Sequence, residues 1–430
     1  LEVNAGPGFR MHLQPSSGLP RNVAANVVDM LFPPGENSTI PIIAVTGTNG
    51  KTTTTRLIAH IAKMKGKKVG YTTTDGVYIQ NRLLMTGDCT GPASAEFVLK
   101  DPTVNYAVLE SARGGLLRAG LGFKKCDIGV VTNVSGDHLG LKGIHTIEQL
   151  AKVKGVIPET VKPDGYAVLN ADDDLVFAMA NNVECNFALF SMDENNPRIK
   201  RHFKRGGISA IYENGYITIC KGEWKMRVSK VVNVPLTMGG KASFMIQNVL
   251  AAVLACYLDG FKIEDIKVAI ESFIPSPSQT PGRLNMFNFK NFKVLLDYAH
   301  NPAGFRAIKA YVDQIQASKK VGIVAGVGDR RKEDNNELGA IAAEMFDEII
   351  IRQDRNLRGK NETDLINEIH NGIKSVNPNK KVDIIRSEKE AIIHAIKNAK
   401  KDSLVIVSSD VVPDALNLVM KLKEKERVKE

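Results

Sequence analysis

From Ile40 onward, short Val- and Ile-rich runs alternate with stretches whose apolar residues recur at helical spacing. Ile42 to Thr46, Val69 to Thr73, Tyr106 to Glu110, Ile128 to Asn133 and Tyr166 to Asn170 read as buried strands. The intervening amphipathic segments predict a largely parallel sheet with helices on its faces. Upstream, Pro20 to Phe32 places Val23, Val27, Val28 and Leu31 at helical spacing until Pro33-Pro34-Gly35 breaks the pattern. The opening Leu1 to Arg10 reads as a strand running into a Gly/Pro loop with no partner upstream, so the chain is expected to be cut from something longer.

Between about 199 and 236 the pattern changes to alternating strands around Asn214-Gly215, a hairpin signal. Helices return at Ala242 to Asp259 and Glu264 to Phe273. Ile274 to Gly282, with Pro275, Pro277 and Pro281, is the linker. Strands at Phe292 to Asp297, Val321 to Ala325, Glu348 to Arg352, Val382 to Ile385 and Leu404 to Val407 then alternate with helices, a doubly wound pattern. Three parts are expected: 1–34 as a tail and linker helix, 35–279 as a central α/β domain, and 280–430 as a second α/β domain.

Composition narrows the class. A chain of 430 residues that is 43% hydrophobic, 24% charged and 6% aromatic has the make-up of a soluble globular protein, not of a fibre or a disordered segment. Apolar runs such as Asn248 to Leu258 are too short to span a bilayer, and no charged-then-apolar signal segment opens the chain, so membrane attachment is not expected and the reading is cytoplasmic. Cys89, Cys126, Cys185, Cys220 and Cys256 are scattered, odd in number and never spaced CxxC, which suggests neither a disulfide frame nor a zinc site. The net charge of +10 comes without a nucleic-acid recognition motif, and an acidic substrate or polyphosphate is the better partner.

The candidate chemistry begins at Ala44-Val45-Thr46-Gly47-Thr48-Asn49-Gly50-Lys51-Thr52-Thr53, directly after a strand and opening a helix. Glycines let backbone N–H groups close on phosphates, Lys51 supplies a point charge at the β/γ oxygens, and Thr52 offers a hydroxyl to Mg²⁺. The usual loop has Gly where this chain has Val45, so it is a variant phosphate loop. Glu110 ends one strand, and Asn133-Val134-Ser135-Gly136-Asp137-His138 follows another; residues past the carboxyl ends of parallel strands converge on one crevice. Mg²⁺ prefers carboxylate oxygens to imidazole, so chemistry alone favours Glu110 over His138 as a ligand.

The run Gly47 to Thr53, then Glu110, Asn133 with Asp137-His138, Asn170-Ala171-Asp172-Asp173, and Asp297-Tyr298-Ala299-His300-Asn301-Pro302 resembles the Mur ligase superfamily, and the likeness covers nearly everything from residue 36 to 430. More closely, Glu110-Ser111-Ala112-Arg113-Gly114-Gly115-Leu116-Leu117-Arg118, Arg352-Gln353-Asp354 and Leu357-Arg358-Gly359 resemble the carboxy-terminal half of the cyanophycin synthetase family. Glu2-Val3-Asn4 with Pro7 to His12 resembles the end of the ATP-grasp domain that precedes it there, where Glu2 and Asn4 would be metal ligands of another site.

The resemblance implies a central P-loop ATPase domain followed by a Rossmann-like ligase domain. The activity implied is an ATP-dependent amide ligase that forms an acyl phosphate and adds L-arginine to aspartate side chains of a poly-aspartate backbone. Gly47, Thr48, Asn49, Gly50, Lys51, Thr52 and Thr53 would hold ATP, with Thr52 on Mg²⁺ and with Glu110 and His138 on a second Mg²⁺. Lys154 falls where many relatives carry a carbamylated lysine, although its surroundings depart from theirs and Lys152 lies two positions away. Asn248 would approach adenine, Arg283 the γ-phosphate and Asp297 the ribose. Arg113, Arg118, His300, Asp354 and Arg358 would contact substrate: the two arginines polymer carboxylates, Asp354 the incoming guanidinium and Arg358 the amino acid's carboxylate. Partners implied are a cyanophycin primer and L-arginine, with no nucleic acid and with self-association. A folylpolyglutamate or cell-wall precursor ligase, or an inactive polymer-binding scaffold, stays open as an alternative.

Overall fold

The computed structural model describes residues 6, 8–33, 35, 38–355 and 357–428. Two compact units result, Leu1–Pro41 and Ile42–Glu430. In the first, helices span Arg10–Leu13 and Val23–Leu31, and neither buries a residue. The second begins later than its apolar spacing predicts because Asn22 caps it, its side chain accepting from the Ala25 N–H at 3.1 Å. Arg10 opens a helical turn instead of closing a strand. Glu2 and Asn4 lie outside the described residues.

The second unit holds two sheets. The strands of the first are β1 (Ile42–Thr46), β2 (Val69–Thr73), β3 (Gly76–Ile79), β4 (Arg82–Thr86), β5 (Tyr106–Glu110), β6 (Cys126–Val131), β7 (Val161–Asn170), β8 (Asn186–Ser191), β9 (Ile208–Glu213), β10 (Tyr216–Lys221) and β11 (Trp224–Lys230). Their order is β11-β10-β9-β8-β7-β6-β1-β5-β2-β3-β4. Pairing is parallel from β9 through β2, and antiparallel hairpins extend both edges. Central strands such as β1 and β5 are apolar without alternation because helices cover both faces. The helix Ser243–Leu258 is apolar all round, buries most of its length and packs on the helix Lys51–Met64.

Two local readings change. β6 ends two residues before Asn133, which frees Thr132 and Asn133 to bond the phosphate loop. The stretch expected to hold only strands includes the basic helix Pro197–Lys204, capped by Asn196, ahead of β9.

The second sheet comprises β12 (Asn285–Asn288), β13 (Lys293–Asp297), β14 (Lys320–Val324), β15 (Glu348–Ile351), β16 (Lys381–Ile384) and β17 (Leu404–Ser408), ordered β12-β13-β17-β14-β15-β16. All neighbours are parallel except β12 and β13. Among the described residues no helix is long and apolar enough to cross a membrane.

Candidate active site

Register aligns the chemistry before any side chain does. Val45 pairs with Glu110 and Thr46 with Val131, so the turn after β1 stands beside the ends of β5 and β6. The turn is held by the segment after β6: Thr48 N–H donates to the Asn133 carbonyl at 2.8 Å, Asn49 N–H to Asn133 Oδ1 at 2.9 Å, and Thr132 Oγ1 to the Asn49 carbonyl at 2.7 Å. Gly50 has φ +86°, and a Cβ there would collide with Asn248 Oδ1; a Cβ at Gly47 would collide with Thr132 Oγ1. The glycines are therefore demanded by close approach. Asn248 is buried in the helix Ser243–Leu258 against that turn.

Thr52 Oγ1 donates to Glu110 Oε2 at 2.9 Å and lies 3.1 Å from Thr74 Oγ1, while the Thr74 N–H reaches the same carboxylate oxygen at 3.3 Å. Glu110 is only 2% exposed, and its second oxygen, Oε1, is buried without a hydrogen-bond partner. Burial pushes this carboxyl upward, against the opposing pull of Lys51, the Thr52 hydroxyl and Arg283. An unsatisfied buried carboxylate oxygen beside a threonine hydroxyl is a hard-oxygen donor set, and it fits a Mg²⁺ ion.

Arg283 crosses from the second sheet's side. Its NH2 reaches Thr52 Oγ1 and Thr74 Oγ1, each at 3.4 Å, and its guanidinium lies 4.9 Å from the Tyr298 ring centroid. Asp297 ends β13 with its carboxylate accepting from the Leu284 and Ala299 N–H groups, both at 2.8 Å. Asn49 and Asn301 exchange amide hydrogen bonds of 3.3 and 3.1 Å across the same crevice.

Two cavities meet here. One, of about 420 Å³, is lined by Gly50, Thr52, Glu110, Asn248, Arg283 and Asp297. The other, of about 670 Å³, is lined by Arg113, Arg118, His138, Lys154, Asp354 and Arg358. Thr48, Lys51, Thr74, Tyr298, Ala299 and His300 border both, so the lysine of the phosphate loop stands on the shared wall. The structure thus divides the expected site residues: Glu110 joins Thr52, whereas His138 belongs to the second cavity.

His138 adopts φ +55°, and its two ring nitrogens face Arg330 NH1 and NH2 at 2.9 and 3.0 Å, with Asp329 at 3.2 Å from Nδ1. Ligation of a cation by His138 requires Arg330 to withdraw. Arg330 is 4% exposed and pairs with Asp137 at 2.8 Å. Burial opposes the charge on Asp137, but Arg330, His300, His138 and Lys51 together hold its pKa below the ordinary value. His300 Nδ1 lies 2.9 Å from the Tyr298 carbonyl, which only accepts, so Nδ1 carries the proton and Nε2 remains an acceptor. Burial lowers the His300 pKa to about 4. Arg113 is anchored by the His138 and Leu141 carbonyls, Arg118 is exposed and bonded to the Gly114 carbonyl, and Arg358 pairs with Asp329 at 2.5 Å.

Lys154 lies in the helix Ile147–Glu159, 3% exposed, its amine donating to the Gly47 carbonyl at 2.7 Å, whereas Lys152 is exposed. Burial, with Lys51 and Arg113 adding to it, drives the Lys154 pKa well below the usual lysine value despite Asp137. Sequence reasoning passed over Arg330 and Thr74. Each follows the carboxyl end of a parallel strand, Arg330 after β14 and Thr74 after β2, and that position is the signal that points to them.

Between the turn after β1 and Arg283 lies a cleft of about 420 Å³. Residues 45–256 match the Mur ligase middle domain and residues 282–411 the Mur ligase glutamate ligase domain, and the chain belongs to this family. Within it, the chain is 54% identical over 421 residues to the cyanophycin synthetase of Geminocystis herdmanii, covering 98% of this chain and 48% of that protein. It is 53% identical over 419 residues to the cyanophycin synthetase of Synechocystis sp., covering 97% and 48%. The chain therefore spans about half the length of these curated relatives. Among solved structures, Escherichia coli FolC in complex with DHPP and ADP superposes with a TM-score of 0.64 at 18% identity, covering 90% of this chain and 89% of that one. The MurF ligase of Thermotoga maritima in complex with ADP gives 0.61 at 18%, covering 96% and 86%. These structural likenesses establish the fold.

Proposed function

We propose that this chain is the ligase half of a cyanophycin synthetase, activating a side-chain carboxylate of aspartate with ATP and joining it to the α-amine of L-arginine. The observation that carries the reading is the shared wall: Lys51 borders both the cavity of Thr52, Glu110 and Arg283 and the arginine-lined cavity beside it. ATP in the first cavity presents its γ-phosphoryl to an acid group in the second. A carboxylate oxygen forms the new bond to phosphorus as the bond to ADP breaks, giving an acyl phosphate. The amine then attacks the acyl carbon, phosphate departs with its electron pair, and the ammonium nitrogen sheds a proton.

Each residue's part follows from its surroundings. Lys51 and Arg283 spread charge over the transferring group. Mg²⁺, held by the Thr52 hydroxyl and the unpartnered Glu110 oxygen, would neutralise phosphate charge. His300 Nε2, left as a hydrogen-bond acceptor on the shared wall, is placed to orient the amine, and with a pKa of about 4 it does not hold the amine's proton, which passes to solvent. Asn248 would lie along adenine and Asp297 along ribose. Arg113 and Arg118 would hold neighbouring polymer carboxylates, Arg358 the arginine carboxylate and Asp354 its guanidinium. His138 stays a candidate second ligand with Glu110 once Arg330 moves.

The deciding experiment is ADP release by the 430-residue chain with ATP, Mg²⁺ and a short aspartate–arginine primer, screened across the amino acids. Arginine should stimulate release above all others, and Asp354→Ala should raise the arginine KM by about 10-fold or more, the scale of a lost charge-assisted bond of about 1.5–3 kcal/mol. Stimulation by glutamate alone, or an unchanged KM in Asp354→Ala, overturns the substrate assignment. Burial that lowers the Lys154 pKa favours the neutral amine, the form of lysine that adds to carbon dioxide. We expect ¹³C-bicarbonate to give a carbamate resonance in the wild type that is missing from Lys154→Ala; identical spectra would refute modification at Lys154.

A further inference from the structure

Thr52 and Arg56 stand one turn apart on the same face of the helix Lys51–Met64. Thr52 meets Thr74 and Glu110; Arg56 goes to Asp75, the next residue along from Thr74. The Arg56 guanidinium is 4% exposed, pairs with Asp75, and donates to Tyr78 OH at 2.8 Å. It also lies 4.6 Å from the Tyr78 ring centroid, and Tyr78 stacks on Tyr71 at 4.7 Å. Burial works against this charge, and Asp75 with the two tyrosines outweighs it. The cation is permanent and braced on three sides.

A second donor leaves the domain: Arg56 NH1 reaches the Gln279 carbonyl at 3.3 Å, in the linker between the two sheets. At Ser276, whose Oγ accepts from the Gln279 N–H at 3.1 Å, the linker changes character. Before it, Ile274 is 63% exposed. After it, Thr280 N–H bonds the Ser276 carbonyl at 2.8 Å, Arg283 N–H bonds the Thr280 carbonyl at 3.0 Å, and Asn285 ties both the Gly282 N–H at 2.7 Å and the Thr280 carbonyl at 3.0 Å. Gly282 in turn accepts from Tyr298 N–H at 2.9 Å. Arg283 therefore rides on a stiff segment whose near end is gripped by Arg56 and whose far end is β13.

We propose that Arg56 is a positioning residue that fixes the linker at Gln279 and so sets how far Arg283 reaches over Thr52 and Thr74. A planar fork can hold a carboxylate and a tyrosine on one edge and a carbonyl on the other; an ammonium group cannot span the three. The proposal rests on the reading of Arg283 as the γ-phosphate group.

Because Arg56→Ala would leave Asp75 unpaired and threaten folding, the test uses Arg56→Lys and two glycine insertions in the full chain. Arg56→Lys, and a glycine inserted between Gln279 and Thr280, should each lower kcat by about 10- to 100-fold while calorimetric ADP affinity stays within about threefold, as expected when a reacting group is misplaced and the nucleotide site is intact. A glycine between Ile274 and Pro275 leaves the Arg56 grip in register and should keep kcat within about threefold of wild type on the same argument. Wild-type kcat in Arg56→Lys, or equal losses from the two insertions, overturns the proposal. If the wild-type chain releases no ADP with any amino acid, the functional reading is what fails. Amide exchange at Thr280 and Arg283 then decides separately: it should be faster than wild type in Arg56→Lys and unchanged in the Ile274 insertion, and unchanged exchange in Arg56→Lys counts against the grip.

Discussion

Lys51→Ala is expected to abolish measurable ADP release while the fold and its melting temperature stay close to wild type. The Lys51 amine donates to the Thr48 carbonyl at 2.9 Å within its own turn and the side chain is only partly buried, while Glu110 keeps the Thr52 hydroxyl and Arg283, and Asp137 keeps Arg330, as partners. The turn keeps its other supports from Thr132 and Asn133. What is lost is, among the described residues, the one Lys or Arg that borders both cavities. Removing a single preorganised donor of this kind costs about 2.7–4 kcal/mol of barrier, or roughly 10²–10³ in rate. Coupled-enzyme detection of ADP alongside a thermal melt checks both halves of the expectation. Release near the wild-type rate would take the loop out of the mechanism.

Glu110→Gln should move stability and activity in opposite directions. Burial raises the folded-state pKa of Glu110 above its unfolded value. Between those two values the folded chain binds more protons than the unfolded one, so stability present at acid pH is lost as pH rises through the folded pKa. Glutamine keeps an oxygen for the Thr52 and Thr74 donors and carries no charge to bury, and the metal-free variant should therefore melt above wild type at neutral pH. Mg²⁺ should raise the wild-type melting temperature, by binding the folded state alone, and leave the variant's unchanged. Turnover should fall by more than the ~10- to 100-fold typical of losing an outer partner of a metal site. A variant that melts below wild type without metal, or that gains as much from Mg²⁺, would remove Glu110 from cation binding. Active sites commonly trade stability for such a group.

Much of this site was legible before any coordinates. The phosphate loop announces itself because a strand, two glycines and Gly-Lys-Thr sit within one short stretch, all local signals. Glu110 was found as a polar residue ending an apolar run, and Asp297 through the resemblance carried by Asp297 to Pro302. Arg330 and Thr74 carry only the weak signal of following a parallel strand, which many residues share; the burial of Arg330 and the bonds of Thr74 come from elements far away in sequence. His138 shows the opposite limit. Its place after a strand is right for the crevice, but which of two adjoining cavities it enters depends on Arg330, 192 residues downstream.

By itself the sequence determined the alternation of strand and helix, the Gly47–Thr53 turn after β1 and the linker at 274–282, since each is encoded in periodicity or in the backbone habits of Gly and Pro. Only the tertiary structure decided that Lys154 and not Lys152 is buried against Gly47, that Arg283 meets Thr52, and that Arg56 grips Gln279. These choices belong to packing between distant segments, where a side chain's charge state and reach are set by neighbours that no local pattern specifies.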